Sequence, residues 1–265
     1  MTTEHRSESH EVPVAPFERW IADLERRHLA ELSFPEVRKG LQALSSLYVE
    51  RRERLGAGAV FDGAGKRAAF ALFYGPLHFL TVREIVSAVG AASPPLSRLL
   101  DLGCGTGAAG AAWALAAGGT PKVSGVERSG WAASEAQETY AVLGLSGRAV
   151  SGDLLRERLP GAGAGVLLGW VANELGDESR SALLPRLLEA ARRGARVLVV
   201  EPIAARPVPW WTAWATAFGE AGGRDDLWRF PVKLPPVVTL LDKAAGLDHR
   251  LLTARSLYLP GRQGE

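Results

Sequence analysis

Short apolar runs alternate with helical segments beyond residue 93, and this alternation limits the fold more than any other feature of the chain. The runs cover residues 98–101, 122–127, 148–153, 165–169 and 195–201. The helical segments between them include 108–117 and 181–193. Strands and helices that alternate at this spacing form a mostly parallel sheet with helices on both faces. The sequence therefore predicts an α/β fold with a doubly wound, mostly parallel sheet.

Acidic residues and glycines stand at the ends of the predicted strands. They are Asp101, Glu127, Asp153, Gly169 with Trp170, and Glu201. Ligands of doubly wound sheets bind in the crevice at the carboxyl ends of the strands. We therefore expect the binding site along this edge of the sheet, with acidic groups contributed by several strands.

A glycine-rich loop follows the first predicted strand in the string "DLGCGTGAAG", residues 101–110. Its second half fits the G-x-G-x-x-G pattern of dinucleotide sites, in which amides at a helix start hold a pyrophosphate. Asp101 would repel a pyrophosphate, but it suits a cationic ligand. S-Adenosylmethionine carries an ammonium and a sulfonium, so the loop favours this cofactor. An NAD-dependent oxidoreductase is the alternative.

Two further acidic residues have the spacing expected of an adenosine site. Glu127 lies 20 residues beyond Gly107, where a carboxylate accepts hydrogen bonds from ribose hydroxyls. Asp153 is placed to accept a hydrogen bond from the adenine amine. Either residue could instead cap the helix that follows it, because acidic side chains are favoured at helix starts.

The strings "LLDLGCGTG", "VSGVERS" and "VSGDLL" together resemble the successive motifs of class I S-adenosylmethionine-dependent methyltransferases, over residues 94–204. The resemblance implies a Rossmann-like, seven-stranded sheet, S-adenosylmethionine as methyl donor and S-adenosylhomocysteine as product. By this likeness Asp101 serves the methionine end of the cofactor, Glu127 the ribose and Asp153 the adenine. The other residues implied in cofactor binding are Gly103, Cys104, Gly105, Gly107, Arg128, Leu154, Gly169 and Trp170.

A second resemblance concerns the strings "AFALFYGPLHFLTVREIVSAV" and "WVANEL". They are similar to the methyltransferase-like proteins associated with the mitochondrial ribosomal small subunit and to their bacterial relatives. Those proteins commonly carry cysteines that suit an iron-sulfur cluster. Cys104 is the single cysteine of this chain, so we expect neither a cluster nor another metal site.

The chain divides into three predicted regions. Residues 1–12 are polar and non-periodic, which predicts a disordered tail. Residues 13–92 have helical periodicity and form a helical region that covers the acceptor or packs against the rest, and residues 93–265 form the methyltransferase domain.

The net charge of +2 gives the protein no overall positive electrostatic field that would attract nucleic acid. No leader or apolar run of about 20 residues is present, so we expect a soluble, cytoplasmic protein.

Methyl transfer from a sulfonium is an in-line displacement, which needs alignment of the acceptor more than acid–base chemistry. A general base is therefore optional. The candidates are His78, Tyr74 and Glu174, and Glu201 could also assist. His78 and Tyr74 could equally be packed core residues. The string "GWVANE" lacks the Asn/Asp-Pro-Pro-aromatic signature of adenine N-methylation.

Two acceptor classes remain open at this point. The first is a small, partly aromatic molecule bound under a tryptophan-lined cover. Its tryptophans are Trp210, Trp211, Trp214 and Trp228, although they could also pack as a helix face on the sheet. The second is RNA or the ribosome, held by a basic face of the protein. The basic residues could equally form an ordinary solvated helix surface that binds nothing. That face comprises Arg38, Lys39, Arg51, Arg52, Arg54, Lys66 and Arg67.

Overall fold

The computed structural model describes residues 15–50, 60–118, 121–203 and 208–261, so the predicted tail 1–12 lies outside the described residues. One sheet runs through this part of the chain, in the order β3-β2-β1-β4-β5-β7-β6. Its strands are β1 (Arg98–Leu102), β2 (Lys122–Glu127), β3 (Gly147–Ser151), β4 (Ala164–Gly169), β5 (Arg196–Glu201), β6 (Arg224–Pro231) and β7 (Leu251–Leu259). Strands β1 to β5 are parallel, and β7 is antiparallel to β5 and β6. The predicted α/β fold with a mostly parallel, seven-stranded sheet is confirmed.

Helices cover both faces of the sheet and precede it. Those before the sheet are α1 (Pro16–His28), α2 (Phe34–Glu50), α3 (Ala64–Ala69) and α4 (Gly75–Ala88). Those between or after strands are α5 (Ala108–Ala116), α6 (Gly130–Val142), α7 (Asp177–Arg192), α8 (Pro209–Glu220) and α9 (Pro236–Ala244). The strand order reverses between β1 and β4, and such a switch point opens a crevice at the carboxyl ends of the two strands.

A single turn of π-helix, Phe70–Tyr74, joins α3 to α4. The amide of Gly75 donates to the carbonyl of Phe70, five residues back. Pro76 follows and has no amide to donate, which accounts for the interruption of the regular ladder at this point. The sequence predicts one bent helix over residues 66–89, and the structure shows the interruption as this turn.

The helices α1 and α6 are tied together by a buried polar cluster. The indole of Trp20 is fully buried and donates to Thr139 Oγ1 at 3.3 Å. Arg27 donates to both carboxylate oxygens of Glu135, at 2.8 and 2.6 Å. Burial raises the pKa of Glu135, but hydrogen bonds and charge from His28 and Arg27 outweigh it and lower this pKa to about 2. These contacts attach the N-terminal helices to the α/β sheet, while the predicted domain boundary at residue 92 stays a prediction.

The tryptophan-rich segment does not form a lid. In α8 the side chains of Trp211, Trp214 and Phe218 are at most 6% exposed and pack in the core on one face of the sheet. Trp228 lies on β6 and donates to Ser256 Oγ at 2.8 Å. The helix-face interpretation is therefore correct for α8, and the strand β6 was missed because its residues alternate between exposed and half-buried positions at the sheet edge.

No helix within the described ranges is both long and apolar enough to cross a membrane.

Candidate active site

The glycine loop connects β1 to α5 in a left-handed conformation. The φ angles of Gly103, Gly105 and Gly107 are 70°, 51° and 78°. Residues that carry a side chain rarely adopt this backbone conformation. The amides of Gly103 and Cys104 both donate to the carbonyl of Val126 on β2, which fixes the loop at the end of the sheet. A Cβ at Gly103 would come within 2.3 Å of Val171, so the loop also needs glycine for close packing.

Asp101 lies under this loop and is only 1% exposed. Its Oδ2 accepts a hydrogen bond from the amide of Gly110 in the first turns of α5, at 3.1 Å. Burial raises the pKa of Asp101 to about 7, with a smaller contribution from the charge of Glu127, against the lowering effect of the Gly110 amide. A cation beside this carboxyl group would stabilise its ionised form.

Glu127, at the end of β2, binds two backbone amides. Its Oε2 accepts from Gly105 at 3.1 Å, and its Oε1 accepts from Ser129 at 2.9 Å. The carboxylate is thereby oriented next to the glycine loop and still has free acceptor capacity. Asp153 caps the short 3-10 turn Leu154–Arg156, since its Oδ1 accepts from the amide of Leu155 at 2.9 Å.

One cavity of about 680 Å³ lies over the carboxyl ends of the strands. Most of the predicted cofactor-binding residues line it: Asp101, Gly103, Cys104, Gly105, Glu127, Arg128, Asp153, Leu154, Gly169 and Trp170. Gly107 does not line it and instead packs closely against Ala136 and Tyr140 on α6. Cys104 is buried, and burial raises the pKa of its thiol well above the ordinary value, so it is a small, inert wall residue.

Trp170 stands at the end of β4 with φ of 59°, the one non-glycine residue of the described chain with positive φ. Such a conformation costs a bulky residue on the order of 1–2 kcal/mol. Its amide donates to Val200 at 2.7 Å, and its indole stacks on the ring of His78, with centroids 3.8 Å apart and planes 12° apart. This stack forms one wall of the cavity.

The three predicted catalytic residues all line the cavity, but in different electrostatic states. Burial lowers the pKa of His78 to about 3, so its imidazole is neutral at physiological pH. Burial raises the pKa of Tyr74 to about 12, so its phenol stays protonated. Glu174 is exposed at the cavity wall, and desolvation by the surrounding protein, with the charge of Glu127, raises its pKa to about 7.

Glu201 ends β5 on the same edge and is fully buried. It accepts hydrogen bonds from the amide and side chain of Asn173, at 3.1 and 2.6 Å. Burial, with the charge of Glu174, raises the pKa of Glu201 to about 8. It is therefore mostly protonated at neutral pH.

A histidine–carboxylate pair at the cavity was not predicted from the sequence. His249, just before β7, lines the cavity, and its Nδ1 lies 2.6 Å from Oδ1 of Asp242 on α9. The only local signal is "DHR" before a strand, which carries no weight until β7 is known to start at the ligand-binding edge. No group of three or more His, Cys, Asp or Glu side chains in the described residues could hold a metal ion.

The basic face predicted for RNA is only partly described. Arg51, Arg52 and Arg54 lie outside the described residues. Arg67 donates to the carbonyl of Phe61 at 2.8 Å and stacks over Trp131 at 5.7 Å, so this guanidinium is engaged within the protein.

Comparison with known proteins gives a family and a fold. A family model described as an O-methyltransferase domain matches residues 64–209, more than half of the chain. A proposed O-methyltransferase of Nostoc punctiforme has a similar structure, with 15% identity, a TM-score of 0.53, and 90% of this chain and 72% of that one covered. The plantazolicin methyltransferase BpumL in complex with S-adenosylhomocysteine is similar at 11% identity, with a TM-score of 0.51 and 93% and 99% covered. No curated protein sequence matches significantly.

Proposed function

This chain belongs to the O-methyltransferase domain family and is an S-adenosylmethionine-dependent methyltransferase, and we propose that its acceptor is a hydroxyl oxygen of a small, largely apolar molecule. The observation that carries the proposal is the cavity over the carboxyl ends of the strands, which joins the glycine loop to a wall of aromatic rings. Its volume of about 680 Å³ lies within the range of small-molecule sites.

The loop end of the cavity suits the cofactor. Burial disfavours the charged form of Asp101, and the cationic methionine end would stabilise that form. Glu127 retains lone pairs that can accept hydrogen bonds from the ribose hydroxyls. Gly105 would direct a Cβ toward Phe70, another cavity residue, so its lack of a side chain keeps this end open. Asp153 and Leu154 are assigned to the adenine end. When bound, S-adenosylmethionine supplies an electrophilic methyl group.

The aromatic wall of the cavity suits an aromatic acceptor. Tyr74 and His78 come from the N-terminal helical region, which we assign as the acceptor cover, and Trp170 directly follows β4. At neutral pH none of these three side chains is charged, so they offer ring contacts and single hydrogen bonds to an apolar molecule. The enclosing rings exclude water and hold the acceptor in line, which provides most of the acceleration in a displacement of this kind.

Calorimetry on the full chain tests the cofactor assignment. S-Adenosylmethionine and S-adenosylhomocysteine are expected to bind, and NAD is not. A panel of phenols and a ribosomal RNA fragment, each mixed with methyl-labelled cofactor, then tests the acceptor. Label on the phenols supports the proposal, whereas label on RNA alone would replace it with the RNA-directed alternative.

Glu127→Gln is expected to weaken S-adenosylhomocysteine binding by roughly 10- to 100-fold. The substitution removes a charged acceptor, and hydrogen bonds to charged groups contribute about 1.5–3 kcal/mol each. Glu138→Gln on the exposed side of α6 is the matched control and should bind like the wild type. Equal affinity of both variants, measured by calorimetry, would remove Glu127 from the cofactor site.

A further inference from the structure

His249 and Asp242 form an oriented pair at the edge of the cavity. Oδ1 of Asp242 lies 2.6 Å from Nδ1 of the imidazole, and Oδ2 accepts from the backbone amide of His249 at 2.9 Å. One carboxylate thus holds both the ring and the main chain of the histidine. With the Nδ1–H group donating a hydrogen bond to Asp242, Nε2 is left as an acceptor.

The topology brings this pair to the ligand-binding edge. In the antiparallel register Glu201, the last residue of β5, pairs with Arg255, so β7 starts four residues beyond the end of β5. His249 stands just ahead of that start, at the carboxyl edge of the parallel strands. Its ring packs edge-on against Phe73 at 5.2 Å, and Phe73 in turn contacts Tyr74 on the acceptor wall.

We propose that His249 is the general base that takes the acceptor's hydroxyl proton, with Asp242 as its positioning residue. The inference rests on the proposed function and adds a residue pair outside the matched family segment, residues 64–209. The positive charge formed on the ring lies beside the Asp242 carboxylate, and the His249 side chain remains 33% exposed to solvent. No carboxylate of the described residues pairs with His78, whose ring is stacked on Trp170, and burial lowers the pKa of His78 to about 3.

The step is balanced in atoms and electrons. Nε2 of neutral His249 takes the hydroxyl proton, and the oxygen uses its electron pair to form the bond to the methyl carbon. The sulfur keeps the pair of the broken carbon–sulfur bond. The products are a methyl ether, S-adenosylhomocysteine and an imidazolium that returns its proton to solvent.

The first test uses 4-nitrophenol, whose phenolate is coloured and whose neutral form is not. With S-adenosylhomocysteine present at neutral pH, the bound probe should remain phenolate in the wild type and become protonated in His249→Gln, because an apolar cavity without a proton acceptor favours the neutral form. Asp242→Asn should lose much of the phenolate signal, whereas Glu220→Gln, at an exposed carboxylate that does not line the cavity, should keep it. Thermal unfolding verifies the fold of each variant.

The second test compares methyl transfer for phenols of rising pKa. General bases contribute typically 10²- to 10⁴-fold, and their contribution grows as the acceptor becomes less acidic. The ratio of wild-type to His249→Gln rates should therefore increase along the series. A constant ratio, or a bound probe whose phenolate signal is the same with and without His249, overturns the assignment of the base alone. Failure of S-adenosylhomocysteine to bind overturns the cofactor site, and failure of 4-nitrophenol to bind overturns the acceptor class and the base with it.

Discussion

Asp101→Asn is expected to stabilise the cofactor-free protein at pH 8 and, at the same pH, to weaken its binding of S-adenosylmethionine. The native carboxyl is buried and its pKa is raised from the ordinary value of 3.8 to about 7. The folded state therefore holds this proton more tightly than the unfolded state, and stability falls as pH rises from about 4 to 7. Above that window the ionised group costs on the order of 4 kcal/mol. Asparagine has no charge to bury, so the cost disappears.

The negative charge of Asp101 is also what attracts the cationic end of S-adenosylmethionine. Removing one partner of a buried ion pair costs about 2–5 kcal/mol, so the affinity for S-adenosylmethionine should fall at least about 30-fold at pH 8. At pH 4 the carboxyl is protonated in the folded state and about half protonated in the unfolded state, so the substitution should change stability by less than about 1 kcal/mol.

Denaturant unfolding at pH 4 and pH 8, with calorimetry at pH 8, measures both effects. Glu178→Gln on exposed α7 removes one negative charge elsewhere and should change neither quantity. An Asp101→Asn variant with wild-type affinity would show that this carboxylate does not hold the cationic end. A variant with unchanged stability at pH 8 would show that the native carboxyl is not desolvated.

The sheet and the loop were predictable because their signals are local. Apolar runs bounded by glycine and acidic residues reproduce β1 to β5 to within about two residues. Asp101, Glu127 and Asp153 each end such a run or follow one closely, and parallel strands bring these ends to one edge whatever the rest of the chain does.

The rest of the site depends on contacts between distant segments. Strand β6 is half exposed at the sheet edge, so it has no apolar pattern, and without it the start of β7 cannot be placed at the ligand-binding edge. The pair of His249 and Asp242 is therefore visible only in three dimensions. The burial of each acidic residue is likewise visible only in three dimensions. Glu127 and Glu201 both end strands, but only Glu201 is fully enclosed.

Trp170→Gly is expected to retain the fold while reducing methyl transfer to phenols by tenfold or more. Trp170 has φ of 59°, and glycine adopts this conformation without the cost of about 1–2 kcal/mol that the tryptophan carries. This relief offsets part of the stability lost with the indole. The loss of activity follows because the stack with His78 forms the acceptor wall.

Trp170→Ala separates backbone strain from the ring. Alanine also lacks the indole but keeps the unfavourable φ, so this variant should be about 1 kcal/mol less stable than Trp170→Gly and equally poor in methyl transfer. Denaturant unfolding and phenol methylation measure the two quantities, and calorimetry with S-adenosylhomocysteine measures how much of the lost activity comes from weaker cofactor binding. Strained residues persist where the surrounding structure imposes them, commonly at functional sites. If Trp170→Gly were instead as active as the wild type, the indole would be a packing residue, and the acceptor wall would consist of Tyr74 and His78 without it.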